Sequence, residues 1–236
     1  PAECAAVVKA DGYGLGLEPV ARALAQAGCR TFFVAHLSEG RRLRARDPAS
    51  AIYVLNGLLP GTAPIYAECN LRPVLGSIPE LNEWIAFRES SGWRGGAALH
   101  VDTGMNRLGL TLREAAALAE RRPEARAGID LVMSHFAVSE DPTHPLNARQ
   151  MGLFRELREL FPNVRGSLAN SSGIFLGPDA RHDLVRPGVA LYGANPTPGH
   201  TNPMRPVVRL DARIVQVRTV PEGETVGYGA AWTAQR

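Results

Sequence analysis

The sequence predicts a closed (β/α)8 barrel of the TIM type followed by the start of a second, all-β domain. Three observations carry that expectation. Short apolar, β-branched runs alternate with amphipathic stretches in roughly eight units over about the first 190 residues, the pattern of a parallel sheet. The strands end repeatedly on a polar residue, namely Lys9, His36, Asn56, Ser77, Asp102, His135, Asn170 and Arg186. In a barrel, strand C-termini converge on one rim. Beyond Pro203 the alternation stops, and a two-residue period with no helix behind it takes over.

In chain order, Ala5-Ala6-Val7-Val8 is the first strand, and it delivers Lys9 into a loop punctuated by Gly12, Gly14 and Gly16. Leu17, Val20, Ala21 and Leu24 repeat at helical spacing, and Gly28 is placed to stop that helix. The unit repeats. Thr31 to Ala35 is a strand ending at His36, followed by an arginine-rich helix with Ser38 as its expected N-cap. Ile52 to Leu55 ends at Asn56, and Arg72 to Leu75 leads into Ser77-Ile78-Pro79-Glu80, a capping box. Ala97 to Val101 precedes Asp102-Thr103-Gly104-Met105-Asn106-Arg107-Leu108-Gly109, and a second capping box, Thr111 with Glu114, opens the next helix. Ile129 to Met133 closes on Ser134-His135-Phe136-Ala137, and Leu146, Met151, Phe154 and Leu157 mark a long amphipathic helix. Two shorter strands end at Asn170-Ser171 and at Arg186. Asn195-Pro196-Thr197-Pro198-Gly199 is a linker, Val207 to Val217 alternates as a strand does, and Pro221-Glu222-Gly223-Glu224 is a hairpin turn. The expected division is residues 1–202 for the barrel and 203–236 for the beginning of the β domain.

Composition limits the function classes. With 45% hydrophobic and 21% charged residues among 236, the chain can bury a large core. It has no apolar run of the ~18 residues that a membrane span needs, and its N-terminus lacks the basic and apolar regions of a signal peptide. A cytoplasmic location is the expectation, with no membrane partner. Cys4, Cys29 and Cys69 are widely spaced, which argues against a disulfide framework and a zinc site, so no metal is expected. The net charge of +3 is small and the arginines are scattered, which argues against nucleic acid. Gly12-x-Gly14-x-Gly16 lacks the spacing of a dinucleotide or Walker loop, and there is no Gly-x-Ser-x-Gly.

An amine held at a strand end among apolar neighbours loses hydration and becomes a nucleophile toward a carbonyl, which makes Lys9 the first candidate, with Tyr13 close enough to share its site. A lone lysine at such a place can equally snorkel into solvent. His135, taken alone, is equally a core histidine satisfied by backbone, Arg186 a surface arginine before a turn, and Arg107 a structural partner of Asp102.

Together the motifs remove that ambiguity. Val7-Val8-Lys9-Ala10-Asp11-Gly12-Tyr13-Gly14-Leu15-Gly16 resembles the lysine motif of the alanine racemase family, pyridoxal-phosphate enzymes of the barrel type. Asp102 to Gly109, Ser134 to Ala137, Asp183 to Gly193 and Val226-Gly227-Tyr228-Gly229-Ala230-Ala231-Trp232-Thr233 follow in the family's order. The resemblance implies that Lys9 forms the Schiff base with pyridoxal 5'-phosphate and then serves as the base on one face of the substrate, while the Tyr228 phenol serves the other. A phenol is a poor base at neutral pH without positive charge or hydrogen bonds nearby, and the family histidine, here His135, links that tyrosine to the arginine. That arginine, Arg186, faces the pyridine nitrogen, and a guanidinium does not readily give up a proton to it. Gly188 and Val189 would present backbone N–H groups to the phosphate, with Asn170, Ser171 and the Tyr13 hydroxyl completing the cradle. Arg107 would hold the substrate carboxylate through its planar fork.

Two positions depart from the family: Leu15 stands where histidine is common, and His100 where many members carry a carbamylated lysine. The chain opens on Pro1 almost at its first strand and stops at Arg236, so compared with the family it is expected to be a fragment lacking an opening helix and most of the C-terminal domain. The implied function is racemisation of L- and D-alanine in a homodimer with shared active sites, supplying D-alanine for peptidoglycan. A broad-specificity or serine racemase would keep every motif. A barrel decarboxylase shares the lysine and phosphate chemistry but is expected to place a glutamate-like partner where Arg186 stands. A non-catalytic pyridoxal-phosphate-binding barrel needs no facing tyrosine.

Overall fold

The computed structural model describes residues 1–121 and 128–236. Two short segments, β1 (Glu3–Cys4) and β2 (Ala6–Val7), form the first, interrupted strand. β3 (Thr31–Val34), β4 (Ala51–Val54), β5 (Arg72–Leu75), β6 (Ala97–His100), β7 (Ile129–Met133) and β8 (Arg165–Ser167) follow β2 in a seven-stranded, all-parallel sheet in sequential order. The ring closes through β9 (Leu184–Val185), which pairs in parallel with β1. On its other side β9 meets the β8 segment, where Asp183 N–H donates to Gly166 O (3.1 Å) and Arg186 N–H to Ala169 O (2.9 Å). The expected barrel is therefore present, with strand limits within a residue or two of the apolar runs that announced most of them.

Because side chains alternate along a strand, each strand feeds two cores. Val7, Phe33, Tyr53, Val74, Ala98, Leu131 and Met133 point to the barrel axis, and Phe33 stacks on Tyr53 with ring centroids 4.9 Å apart. Their neighbours Ala6, Phe32, Val34, Ile52, Val54, Leu75, Leu99 and Val132 point outward to the helices. The end of the barrel away from the strand C-termini is plugged by polar groups: Tyr53 Oη donates to Asp130 (2.8 Å), and Arg72 bonds both Tyr53 (2.9 Å) and Asp130 (2.7 Å).

The outer helices are Leu17–Gln26, Leu37–Arg44, Ala63–Glu68, Ile78–Ser91, Leu112–Arg121 and Pro145–Leu160. The Thr111 capping box forms in full, with Glu114 N–H reaching Thr111 Oγ1 at 3.2 Å and Thr111 N–H reaching the Glu114 carboxylate at 2.8 Å. The Ser77 box forms by half: Glu80 N–H reaches Ser77 Oγ at 3.4 Å, but the Glu80 carboxylate accepts from Gly76 N–H (2.8 Å) and the Ser77 hydroxyl (3.1 Å) instead of Ser77 N–H. Ser38 is not the cap of its helix. Glu39 accepts from His36 N–H (3.2 Å), so the helix begins at Leu37, with Ser38 inside it.

The C-terminal stretch differs from expectation. Residues 207–217 form no strand, and Leu210, Ile214, Val215 and Val217 are exposed. A two-residue apolar period favours extended chain, but a strand also needs a neighbour for its N–H and C=O groups, and none lies alongside among the described residues. The turn at Pro221–Glu224 does form, through Glu224 N–H to Pro221 O at 3.1 Å. It leads into an antiparallel pair of β10 (Thr225–Val226) and β11 (Trp232–Thr233).

Candidate active site

The chain leaves β2 and at once enters a turn that L-residues avoid. Within Lys9–Tyr13, Ala10 (φ 54°, ψ 51°), Asp11 (52°, 48°) and Gly12 (63°, 41°) are left-handed, and Tyr13 continues with φ 56°. Three of these carry a Cβ, and at roughly 1–2 kcal/mol each the turn stores about 3–6 kcal/mol. That strain is opposed by specific bonds. Gly12 N–H donates to Val8 O (3.0 Å) and Gly16 N–H to Asp11 O (2.8 Å), while Asp11 Oδ1 accepts from Leu17 N–H (3.1 Å) at the start of the following helix. Glu39 accepts from Asp11 N–H at 3.0 Å. Lys9 itself is exposed, so the anticipated enclosure among apolar neighbours is not found: it stands at the mouth of the barrel, on the rim, and not within its core.

Arg186, just after β9, is buried, and its guanidinium is enclosed by acceptors. Nη1 donates to Ser167 O (2.9 Å) and to Ser167 Oγ; Nη2 donates to Ser134 O (2.5 Å), with His135 Nδ1 and Leu168 O each at 3.4 Å. Its Nε–H has no hydrogen-bond partner among the described residues. Burial pulls the guanidinium down to about 9, which still leaves it cationic at neutral pH, as its ring of acceptors requires. His135 and His100 lie close to this charge. Burial, then the neighbouring Arg186, lowers His135 to about 3 and His100 to about 4, so both rings are neutral at physiological pH. With Arg186 donating to Nδ1, His135 carries its proton on Nε2.

The fully buried Gln150, on the helix Pro145–Leu160, ties these loops together. Its Nε2 donates to His135 O (2.8 Å) and Thr103 Oγ1 (3.2 Å), and its Oε1 accepts from Ala137 N–H (2.9 Å). Thr103 Oγ1 in turn bonds Ser134 Oγ at 2.7 Å. The sequence reading missed this hub, although its signal was present: Gln150 interrupts the apolar stripe of Leu146, Phe154 and Leu157 at i, i+4 spacing.

Arg107 is exposed and forms no ion pair with Asp102. The two Asp102 oxygens are taken by the N–H groups of Gly104 (2.9 Å), Met105 (2.9 Å) and Asn106 (3.0 Å), and the Arg107 fork has no hydrogen-bond or ion-pair partner among the described residues. A second corner collects neutral donors. Ser171 Oγ accepts from Gly188 N–H (2.9 Å) and Ala190 N–H (3.3 Å), leaving the Ser171 hydroxyl proton and Val189 N–H without partners among the described residues. A Cβ at Gly188 would fall 2.1 Å from Tyr13 Oη, so only glycine lets the phenol reach this corner. Tyr13 packs against Tyr192, with ring centroids 4.7 Å apart. Asn170 Oδ1 accepts from Gly173 N–H and Ser139 Oγ, both at 2.8 Å, and so shapes the adjoining loop.

These groups face one cavity of 480 Å³, lined by Lys9, Tyr13, Arg107, His135, Asn170, Ser171, Arg186, Gly188 and Val189, together with His100 and Asn56. Among the described residues, three cations and no carboxylate line it. Such a donor set suits a ligand with a phosphate at the Tyr13–Ser171–Val189 corner and an acceptor atom opposite Arg186 Nε, which fits pyridoxal phosphate. Other residues lie outside the cavity. Tyr228 is fully exposed on the C-terminal stretch, Ser77 is occupied as a helix cap, and His36 Nδ1 is bonded to Asn56 Nδ2 at 3.0 Å.

Residues 1–196 match the family model for the alanine racemase N-terminal domain, and residues 207–236 that for the C-terminal domain. The chain is 58% identical over 233 residues to an alanine racemase of Methylobacterium sp. (strain 4-46), covering 99% of this chain and 64% of the relative. It is 50% identical over 234 residues to a catabolic alanine racemase of Mesorhizobium japonicum, covering 98% and 61%. The crystal structure of an alanine racemase from Bartonella henselae, with covalently bound pyridoxal phosphate, superposes with a TM-score of 0.90 at 39% identity, covering 100% of this chain and 66% of that one. The chain thus spans just under two thirds of these relatives' lengths. Among the described residues no helix is long and apolar enough to cross a membrane.

Proposed function

Since the chain belongs to the alanine racemase family, we propose that the full-length protein is a pyridoxal-phosphate-dependent racemase that interconverts L- and D-alanine. The observation that supports this most is the rim cavity, which Lys9 and the buried cation Arg186 both line, with no carboxylate among its described lining residues. When bound, pyridoxal phosphate supplies an electron sink that makes the Cα–H of an amino acid acidic. In our reading Tyr13 Oη, the Ser171 hydroxyl and Val189 N–H hold the phosphate, with Gly188 leaving room for Tyr13 and Asn170 fixing the loop beside it. Arg186, through the Nε–H that its other bonds leave over, would serve as the partner of the ring nitrogen. Its five-donor fork, engaged on both Nη atoms, orients that N–H and keeps its own proton. His135, neutral, accepts from Arg186 and keeps Nε2–H available as a donor toward the second base. Arg107, without an ion pair among the described residues, takes the substrate carboxylate.

Lys9 Nζ holds the cofactor and then moves the Cα proton on one face, and Tyr228 Oη moves it on the other. Tyr228 does not line the cavity formed by its own chain's barrel, so we assign that role to the tyrosine of a second subunit in a homodimer. Residues 1–202 are then the cofactor-binding barrel and residues 203–236 the start of the β domain that lends the tyrosine. We place the enzyme in the cytoplasm, where its D-alanine supplies peptidoglycan synthesis. The test is chiral chromatography of L-alanine incubated with full-length protein and cofactor, followed by borohydride reduction and peptide mapping. D-alanine should form and the pyridoxyl label should sit on Lys9. A label elsewhere, or no D-alanine, would refute the reading.

A further inference from the structure

We infer that Glu39 is a positioning residue that holds the left-handed turn carrying Lys9 in its reactive geometry, a role that rests on the reading of Lys9 as the cofactor lysine. Glu39 belongs to the next βα unit, in the helix Leu37–Arg44, and is 8% exposed. Its carboxylate spends both oxygens on backbone. Oε2 accepts from Ala35 N–H (2.8 Å) and His36 N–H (3.2 Å) at the end of β3, and Oε1 accepts from Asp11 N–H (3.0 Å). One side chain therefore fastens the end of a barrel strand to the second residue after Lys9.

The gripped residue is the centre of the strained turn, with Ala10, Asp11 and Tyr13 all at positive φ although each carries a Cβ. Left to itself such a stretch would relax to right-handed or extended conformations. Arg42, one turn further along the same helix, reaches the Asp11 carboxylate at 3.0 Å, but that pair is half exposed and screened by solvent. The enclosed, charge-assisted bond from Asp11 N–H to Glu39 is the stronger restraint. The side-chain type matters: two separate oxygens serve donors on two elements. A glutamine offers one oxygen, and satisfying the β3 pair turns its NH2 group toward Asp11 N–H, donor against donor. An aspartate is one methylene too short to span both.

The test uses the full-length protein in two states. Without cofactor, amide hydrogen exchange of the peptide covering residues 10–16 should quicken at least tenfold in E39Q, while the β3 peptide stays within twofold of wild type. With pyridoxal phosphate, covalent attachment to Lys9 should slow at least tenfold in E39Q. Non-covalent cofactor affinity, compared between Lys9→Ala and the Lys9→Ala, Glu39→Gln double variant, should be unchanged, a split that general destabilisation would not produce. Exchange of residues 10–16 within twofold of wild type, or an affinity loss as large as the loss in attachment rate, would overturn the inference. If E39Q does not fold, E39D carries the same two readings. Absence of label on Lys9 in the wild type would instead refute the proposed function, since the exchange measurement needs no cofactor.

Discussion

Gln150 offers the sharpest test of how the site is held together. Replacing it with leucine keeps the size of the side chain and removes three hydrogen bonds, to His135 O, Thr103 Oγ1 and Ala137 N–H. The position is fully buried, so water cannot take their place. At a net ~1 kcal/mol per bond the loss is about 3 kcal/mol, and stranding the Ala137 N–H and the His135 carbonyl raises it further, partly offset by the greater apolarity of leucine. At about 2–4 °C per kcal/mol for a domain of this size, the melting temperature should fall by roughly 6–12 °C. The Ser134–His135 loop and the loop bearing Arg107 lose their common anchor, so kcat/KM should fall by more than about tenfold, or ~1.4 kcal/mol of transition-state stabilisation. Circular-dichroism melting and steady-state racemisation of the full-length protein measure both. A melting temperature within about 2 °C of wild type, with kcat/KM unchanged, would refute the claim that Gln150 organises these loops.

Three further outcomes follow from the same geometry. Gly188→Ala forces Tyr13 Oη out of the phosphate corner, so cofactor affinity should drop by about tenfold or more, ~1.4 kcal/mol, with the far-ultraviolet spectrum unchanged. Titration with pyridoxal phosphate measures it, and unchanged affinity would exclude that corner. His135 is lowered to about 3 and His100 to about 4, whereas both titrate near 6.5 when unfolded. The unfolded chain therefore binds more protons below pH 6.5, and the stability these neutral rings contribute, complete above that pH, is lost as pH falls toward their folded values. His135→Gln should remove about 1.4 kcal/mol per pH unit from the slope of stability between pH 6 and 4, read from denaturant unfolding; an unaltered slope would show that His135 is not held neutral by the fold. Mixing full-length Lys9→Ala and Tyr228→Phe subunits should restore activity if sites are shared, because each mixed dimer then contains one site free of both defects. With subunit exchange shown independently, a mixture as inactive as its components would place Tyr228 in its own chain's site.

The barrel was legible in the sequence because a strand buried on both faces leaves an unbroken apolar run, and because the residue ending each run is polar where it meets the rim. Lys9, His135 and Arg186 announced themselves in that way. The shape of the lysine loop did not. Its glycines at 12, 14 and 16 signal a tight turn, but nothing local requires Ala10, Asp11 and Tyr13 to be left-handed, since the bond to Glu39 that helps hold them comes from the next βα unit. Local pattern also misplaced the start of the Leu37–Arg44 helix, where Ser38 is an attractive cap but Glu39 reaches back to His36. At residues 207–217 the alternation describes a chain suited to pairing, and pairing depends on a neighbour that local sequence does not specify.

The central claim is that two bases act on opposite faces of one Cα, with Lys9 on one side and Tyr228 on the other. Deuterium exchange at Cα, followed separately for L- and D-alanine in D2O with the full-length protein and pyridoxal phosphate, tests it most directly. Wild type should exchange both isomers. Tyr228→Phe should lose exchange from L-alanine while Lys9 continues to exchange D-alanine. Equal loss from both isomers in Tyr228→Phe, or no exchange of either by the wild type, would contradict the account.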